Sequence, residues 1–205
     1  MIGILDYGSG NINAIGNIYS RLNVPHCLVS KVADFEKPLS RIVLAGVGAF
    51  DHTMKLLKGT ELLEPLNEIV LSRKLPTLGV CVGMQIMAKR SAEGSNSGLS
   101  WIDGEVVRMS TAGLNSKPLL PHMGWNSIEP VGAHPILEGI DMEKGFYFLH
   151  SFCFRCNDKQ NVLTRTFYGE SFVSSVFRDN IFGFQFHPEK SHSNGIRLLE
   201  NFAKL

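Results

Sequence analysis

The chain has 205 residues, a formal net charge of +1 and four cysteines. That length suits one α/β domain, residues 1–205, with a core large enough to fold alone. The near-zero charge leaves no nucleic-acid or membrane footprint, no apolar run reaches membrane-spanning length, and the sparse cysteines point to reduced thiols in the cytoplasm rather than a disulfide scaffold.

The opening MIGILDYGSG has no basic lead and is not read as a signal peptide. Ile2–Leu5 reads as a buried strand that stops at Asp6-Tyr7-Gly8. Ile12, Ile15, Tyr19 and Leu22 then recur at helical spacing. Cys27–Val29 and Arg41–Leu44 read as strands. Asp51 is the expected cap of the next helix, which carries Met54, Leu56, Leu57, Leu62 and Leu63 and continues in pieces to about Lys74. Thr77–Val80 is a strand and Gly83–Ala88 the start of a helix, with Ser91–Ser100 a surface loop. This alternation of strand and helix implies a mainly parallel sheet flanked by helices. The second half changes character. Ile102–Met109, Asn126–Pro130, Gly145–Leu149, Val162–Phe167 and Phe172–Arg178 are strand-like and add antiparallel strands. Ile181–Phe186 is one more apolar strand, and Ile196–Lys204 is a closing amphipathic helix.

Three segments carry candidate chemistry. Gly79-Val80-Cys81-Val82-Gly83 lies between a strand and a helix, the arrangement of a nucleophile elbow with cysteine at its apex. The turn pushes the central side chain outward, and glycines two positions either side relieve the crowding. The following helix start favours thiolate, the reactive form. Taken alone, a buried structural cysteine would explain Cys81 as well. His187 ends an apolar strand where a crevice opens at the carboxyl end of the sheet, and Glu189 follows across Pro188. Such a pair can act as base and orienter, although alone it would be two polar residues on a loop. Gly46-Val47-Gly48 follows the strand Arg41–Leu44, and its backbone N–H groups are candidates for an oxyanion hole together with that of Val82 or Gly83.

These three pieces in this order, GVCVGMQ, AGVGAF and GFQFHPEKS, resemble the class I (triad-type) glutamine amidotransferases. The segment PHMGWN, with ILDYGSGNI and FYFLHSF, is similar to the glutaminase subunits of imidazole glycerol phosphate synthase. The resemblance implies that Cys81, His187 and Glu189 form a triad that hydrolyses L-glutamine to glutamate and ammonia. It implies an oxyanion hole at Val47, Gly48 and Val82, and glutamine held by Gln85, Glu93, Ser151 and Phe152. His122, Met123, Trp125 and Asn126 would face a (β/α)₈-barrel partner that receives the ammonia for histidine biosynthesis, with Lys190 near the tunnel entrance. No cofactor or metal is implied. Ala45 stands where proline is common and Phe152 where tyrosine is usual, and both bear on the partner rather than the triad. Two alternatives remain within the same resemblance: a glutaminase feeding the amidation of a sugar in surface-polysaccharide synthesis, and a non-catalytic regulatory relative. A cysteine peptidase with the same elbow is a further rival.

Other signals are set aside. His150, Cys153 and Cys156 make only part of a zinc set and lack a second cysteine pair. Gly8-Ser9-Gly10 lacks the third glycine of a dinucleotide loop. His26, His52, His134 and His192 are expected at the surface or in packing, and Met54, Leu57 and Leu62 in the core.

Overall fold

The computed structural model describes every residue except Asn115, Ser116 and Pro118. The first half runs β1 (Ile2–Leu5), α1 (Ile12–Arg21), β2 (His26–Val29), β3 (Arg41–Gly46), α2 (Phe50–Lys58), α3 (Leu63–Asn67), β4 (Thr77–Cys81) and α4 (Val82–Gln85). The second half runs β5 (Arg90–Ser91), β6 (Gly104–Arg108), β7 (His122–Asn126), β8 (Glu129–Pro130), β9 (Phe146–His150), β10 (Phe152–Cys156), β11 (Val162–Tyr168), β12 (Glu170–Arg178), β13 (Ile181–Phe184) and α5 (His192–Lys204).

The apolar runs of β1, β3, β4 and β13 are buried along their lengths, as strands covered on both faces must be. Together with β2 they make five parallel strands in the order β2-β1-β3-β4-β13. β12 then pairs antiparallel with β13, and β10, β6 and β5 continue the sheet, with β11 branching from β12 and β8 pairing with β11. A separate antiparallel ribbon of β7 and β9 lies over the carboxyl end of the parallel strands. Stacked phenylalanines glue it there: the Phe146 and Phe186 ring centroids are 3.9 Å apart, and Phe148 meets Phe186 edge-on. The mixed α/β class with a mainly parallel sheet agrees with the expectation from sequence. No helix among the described residues is long and apolar enough to cross a membrane.

Several boundaries differ for identifiable reasons. Asp51 does not cap α2; Ala49 holds that position in extended geometry. The Asp51 carboxylate instead accepts from the N–H groups of Ser95 and Asn96, both at 3.0 Å, while Glu93 from the same loop accepts from Phe50 N–H at 2.8 Å. Loop and helix end thus cap each other, and the two amide donors hold the Asp51 carboxyl below its ordinary value. α4 ends at Gln85, and Ile86 to Ala88 are buried in turns instead of continuing the helix. α5 begins at His192, one turn earlier than expected; Ser191 stands at its N-cap without a capping bond, its hydroxyl donating to His187 O and accepting from the Tyr147 N–H. β10 was not among the expected strands, and the strand expected at Asn126–Pro130 is split into β7 and β8. The reason in β7 is an inverted pattern: polar His122 is buried while Met123 and Trp125 are exposed.

Candidate active site

Cys81 is the last residue of β4 and has φ +54° and ψ −112°, a strained conformation for a residue with a Cβ. Backbone contacts impose it. A Cβ on Gly83 would overlap the carbonyl oxygen of Leu44, and one on Gly79 would stand 2.8 Å from Gly83 O. β3, β4 and the start of α4 therefore touch through bare backbone, and the chain must leave β4 in a single tight turn. The turn lifts the thiol out of the sheet at the N-terminus of α4, as the elbow spacing predicts.

The neighbours of β4 bring the remaining groups to the same level. In β3, Gly46 pairs with Cys81, and in β13, Phe184 pairs with Val80. One residue beyond Phe184, Gln185 points its amide nitrogen at Cys81 Sγ, 3.8 Å away. Two residues further, His187 makes a 2.8 Å hydrogen bond between its Nδ1 and Glu189 Oε1, with the side chains only 5% and 1% exposed. Burial alone would depress the imidazole pKa, but hydrogen bonds to Cys81 and Glu189 overcome it and raise the value to about 10. His187 is thereby held as an imidazolium beside Cys81 and Glu189. The other carboxylate oxygen, Glu189 Oε2, is buried and has no hydrogen-bond partner among the described residues.

A cavity of about 620 Å³ opens over the thiol. It is lined by Cys81, His187 and Glu189, by Val47, Gly48 and Val82, by Gln85, Glu93, Ser151 and Phe152, and by Lys190 at its edge. Their orientations are specific. Val47 N–H does not face the cavity freely: it donates to Ser9 Oγ at 3.0 Å, and that hydroxyl lies 3.2 Å from Val47 O. Gly48 follows with φ +96° and nothing around its Cβ position, so this peptide has room to turn. Gln85 donates from Nε2 to Phe152 O at 3.2 Å and to Gln185 Oε1 at 3.0 Å. Ser151 O is taken by Met109 N–H.

The PHMGWN residues divide. Met123 is 61% and Trp125 42% exposed, whereas His122 is buried and Asn126 reaches inward to His122 and to Phe167 O. Across the ribbon Met123 pairs with Leu149, and Trp125 pairs with Tyr147, over whose ring Lys190 Nζ sits at 5.6 Å. The exposed His192 ring stacks on Trp125, 5.5 Å between centroids. The outer face of the ribbon is thus an apolar and aromatic patch beside the cavity mouth.

Gln185, Ser9 and His150 were not singled out for the site from sequence. For Gln185 a signal existed: a glutamine between Phe184 and Phe186 in an apolar strand, fully buried, needs a polar reason to be there. His150 does not turn toward Cys153 or Cys156; it lines the cavity and bonds to Phe152 O at 2.8 Å. Burial raises the two thiols to about 11 and about 12, which keeps them protonated and inert.

Comparison with known proteins adds to this geometry. The glutamine amidotransferase class-I family matches residues 4–205. The chain is 44% identical over 205 residues to the imidazole glycerol phosphate synthase subunit HisH of Leptospira interrogans and 43% identical to that of Bdellovibrio bacteriovorus, covering 100% of both sequences in each case. A crystal structure of a glutamine amidotransferase superposes with a TM-score of 0.70 at 19% identity, covering 100% of this chain and 99% of that one. The structure of PurLQS from Thermotoga maritima gives 0.71 at 15%, covering 99% and 97%. At those identities the structures speak for the fold alone.

Proposed function

The chain belongs to the class-I glutamine amidotransferase family, and from that premise we propose that it is the glutaminase subunit of an imidazole glycerol phosphate synthase, hydrolysing L-glutamine at Cys81 and passing the ammonia to its synthase partner in histidine biosynthesis. The observation that carries the chemistry is the row formed at the ends of three adjoining parallel strands: the Cys81 elbow, the peptide after Gly46, and the His187–Glu189 pair.

In this reading the Cys81 thiolate attacks the side-chain amide carbon of glutamine. The carbonyl oxygen becomes an oxyanion, and the C–N bond breaks as the His187 imidazolium gives its proton to the departing ammonia. A glutamyl thioester remains. His187, now neutral, takes a proton from water, the hydroxide adds to the thioester, and glutamate leaves as the thiolate reforms. Glu189 holds the imidazole tautomer and stabilises its charged form. Gln85, Glu93 and the Ser151–Phe152 backbone hold the amino acid. The oxyanion is met by backbone N–H groups of Val82 and of the Val47–Gly48 segment. Since Val47 N–H is bonded to Ser9 Oγ, this segment must turn before it serves, which restricts hydrolysis to the complex.

The partner is a (β/α)₈-barrel subunit that covers Met123 and Trp125. Support for this comes from the exposed apolar face of the β7–β9 ribbon beside the cavity, with Lys190 at the rim. The test is Cys81→Ser. Glutamate release, measured with the barrel partner present, should fall by about 10⁴-fold or more, because serine lacks the thiolate, while glutamine still binds. Turnover near that of the unaltered chain would defeat the assignment.

A further inference from the structure

A hydrogen-bonded chain runs from the ribbon to the Phe152 peptide at the cavity wall, and no proton-transfer step of the hydrolysis passes through it. Asn126 Nδ2 donates to Phe167 O at 2.9 Å and lies 3.2 Å from His122 Nε2. His122 Nδ1 lies 3.1 Å from His150 Nε2, and His150 Nδ1 lies 2.8 Å from Phe152 O. The chemistry of its two ends fixes every proton. A carbonyl oxygen only accepts, so His150 carries hydrogen on Nδ1 and offers Nε2 as an acceptor. His122 must then carry hydrogen on Nδ1 and accept at Nε2, where the Asn126 amide, oriented by Phe167 O, supplies the donor. All bonds from Asn126 onward run one way and end on Phe152 O. That oxygen also accepts from Gln85, whose Nε2 is shared with Gln185 Oε1, and Gln185 reaches Cys81.

We infer that His150 and His122 are positioning residues for glutamine: a directed pair of neutral imidazoles that locks the Phe152 peptide at the wall of the substrate cavity. The inference rests on the glutaminase reading, in which the Ser151–Phe152 backbone holds the amino acid. Packing alone does not call for imidazoles here. His122 is stacked between Phe148 and Tyr168, with centroids at 4.8 and 4.1 Å, and edge-on to Phe172, surroundings in which a phenyl ring would fit without desolvating polar atoms. The imidazoles add two donors and two acceptors, all satisfied, and a defined direction. Burial pushes the pKa of His122 down to about 4 and that of His150 to about 3, so neither gains the second proton that would set donor against donor at the 3.1 Å contact. With Gln85 on one side and His150 on the other, Phe152 O has no freedom to rotate into the cavity.

Two measurements test this on the full-length chain with its synthase partner. In ¹⁵N NMR of the imidazoles at neutral pH, both rings should show a protonated Nδ1 and an unprotonated Nε2. In steady-state kinetics, His150→Leu should raise KM for glutamine by about 10-fold, the worth of one buried hydrogen bond, and by a larger factor than it lowers kcat. His150→Asn, which keeps a donor near the Nδ1 position, should recover most of the loss. His122→Leu should act in the same direction more weakly. An Nε2–H tautomer at His150 in the unaltered protein overturns the proposal, as does a folded His150→Leu variant with unchanged KM and a lowered melting temperature, which would make the pair structural only. If His150→Leu does not fold, the NMR result decides. Absence of glutamine hydrolysis by the unaltered complex would instead sink the glutaminase reading, and the tautomers could still be read.

Discussion

The two walls of the cavity over Cys81 are built by opposite means. On the parallel-sheet side the chain touches itself through backbone: Gly46, Gly79 and Gly83 press β3, β4 and α4 together, and side chains appear only where they act. On the ribbon side Gly145 lies against Asn126 O at one end and side chains do the rest of the fixing, with His122 and His150 buried, Asn126 half-buried against His122, and Met123 and Trp125 facing out. The strands of the first wall cannot part without breaking these contacts, while the Val47–Gly48 peptide that follows β3 keeps room to turn. The second hangs on phenylalanine stacking and a few hydrogen bonds, and its outer face is available to another protein. Chemistry sits on the rigid wall, and control can enter through the adaptable one.

The largest effect should come from the rigid wall. His187→Ala should lower kcat by about 10³- to 10⁴-fold in the glutaminase assay, since it removes both proton transfers. Glu189→Gln should cost less, about 10²-fold, because orientation is only part of the base's work; the reverse order would mean the roles are exchanged. The His187 pKa also sets a pH signature. Its value is raised above the ordinary one near 6.5, so the stabilisation by Cys81 and Glu189 is complete below about 6.5 and is lost as pH rises through about 10. Activity should fail over the same alkaline range, and a decline beginning near neutrality would contradict the ion pair. Gly83→Ala should come next. Its methyl meets the Leu44 carbonyl, and denaturant titration should find a loss of about 3 kcal/mol, without which the backbone contact is not what holds the elbow.

The adaptable wall should respond more mildly, and through the partner. Trp125→Ala should weaken the complex by about 2 kcal/mol, roughly 30-fold in Kd by calorimetry; an unchanged Kd would move the interface elsewhere. Ser9→Ala, back on the sheet side in the loop after β1, should be smallest. Freed from the hydroxyl, Val47 N–H can turn toward the cavity, and the lone chain should hydrolyse glutamine about fivefold faster. A rate that falls or stays constant would remove Ser9 from the gating of the loop.

The same division decided what could be read from the sequence. Apolar runs and paired glycines mark the parallel strands because those strands are buried on both faces and their tight turn has one chemical solution; Cys81, His187 and Glu189 stand out against that background. The ribbon defeats periodicity. In β7 the buried positions are polar and the exposed ones apolar, the reverse of a solvated strand, so the strand was expected four residues too late. β10, in the large sheet between β12 and β6, is also unmarked in the sequence, with only Cys153 and Phe154 of its five residues buried. Asp51 at a helix start looks like a cap until the loop carrying Glu93 is brought back from more than forty residues away, a contact that no local pattern encodes.

The register that sets Gly46 opposite Cys81 and Phe184 opposite Val80, with Gln185 the next residue, has a consequence for how such a chain can change length. A residue inserted within β3, β4 or β13 would shift its strand by one step, turn every following side chain to the opposite face, and carry one member of the row out of reach. A residue inserted in a connection away from the cavity leaves the row intact, whereas one inserted directly after β3 or β13 would displace Val47 and Gly48 or His187 and Glu189. The row is therefore indifferent to the lengths of the distant loops and intolerant of change in the strands and in the first residues that leave them. Growth, tagging and circular permutation should all be confined to those distant loops.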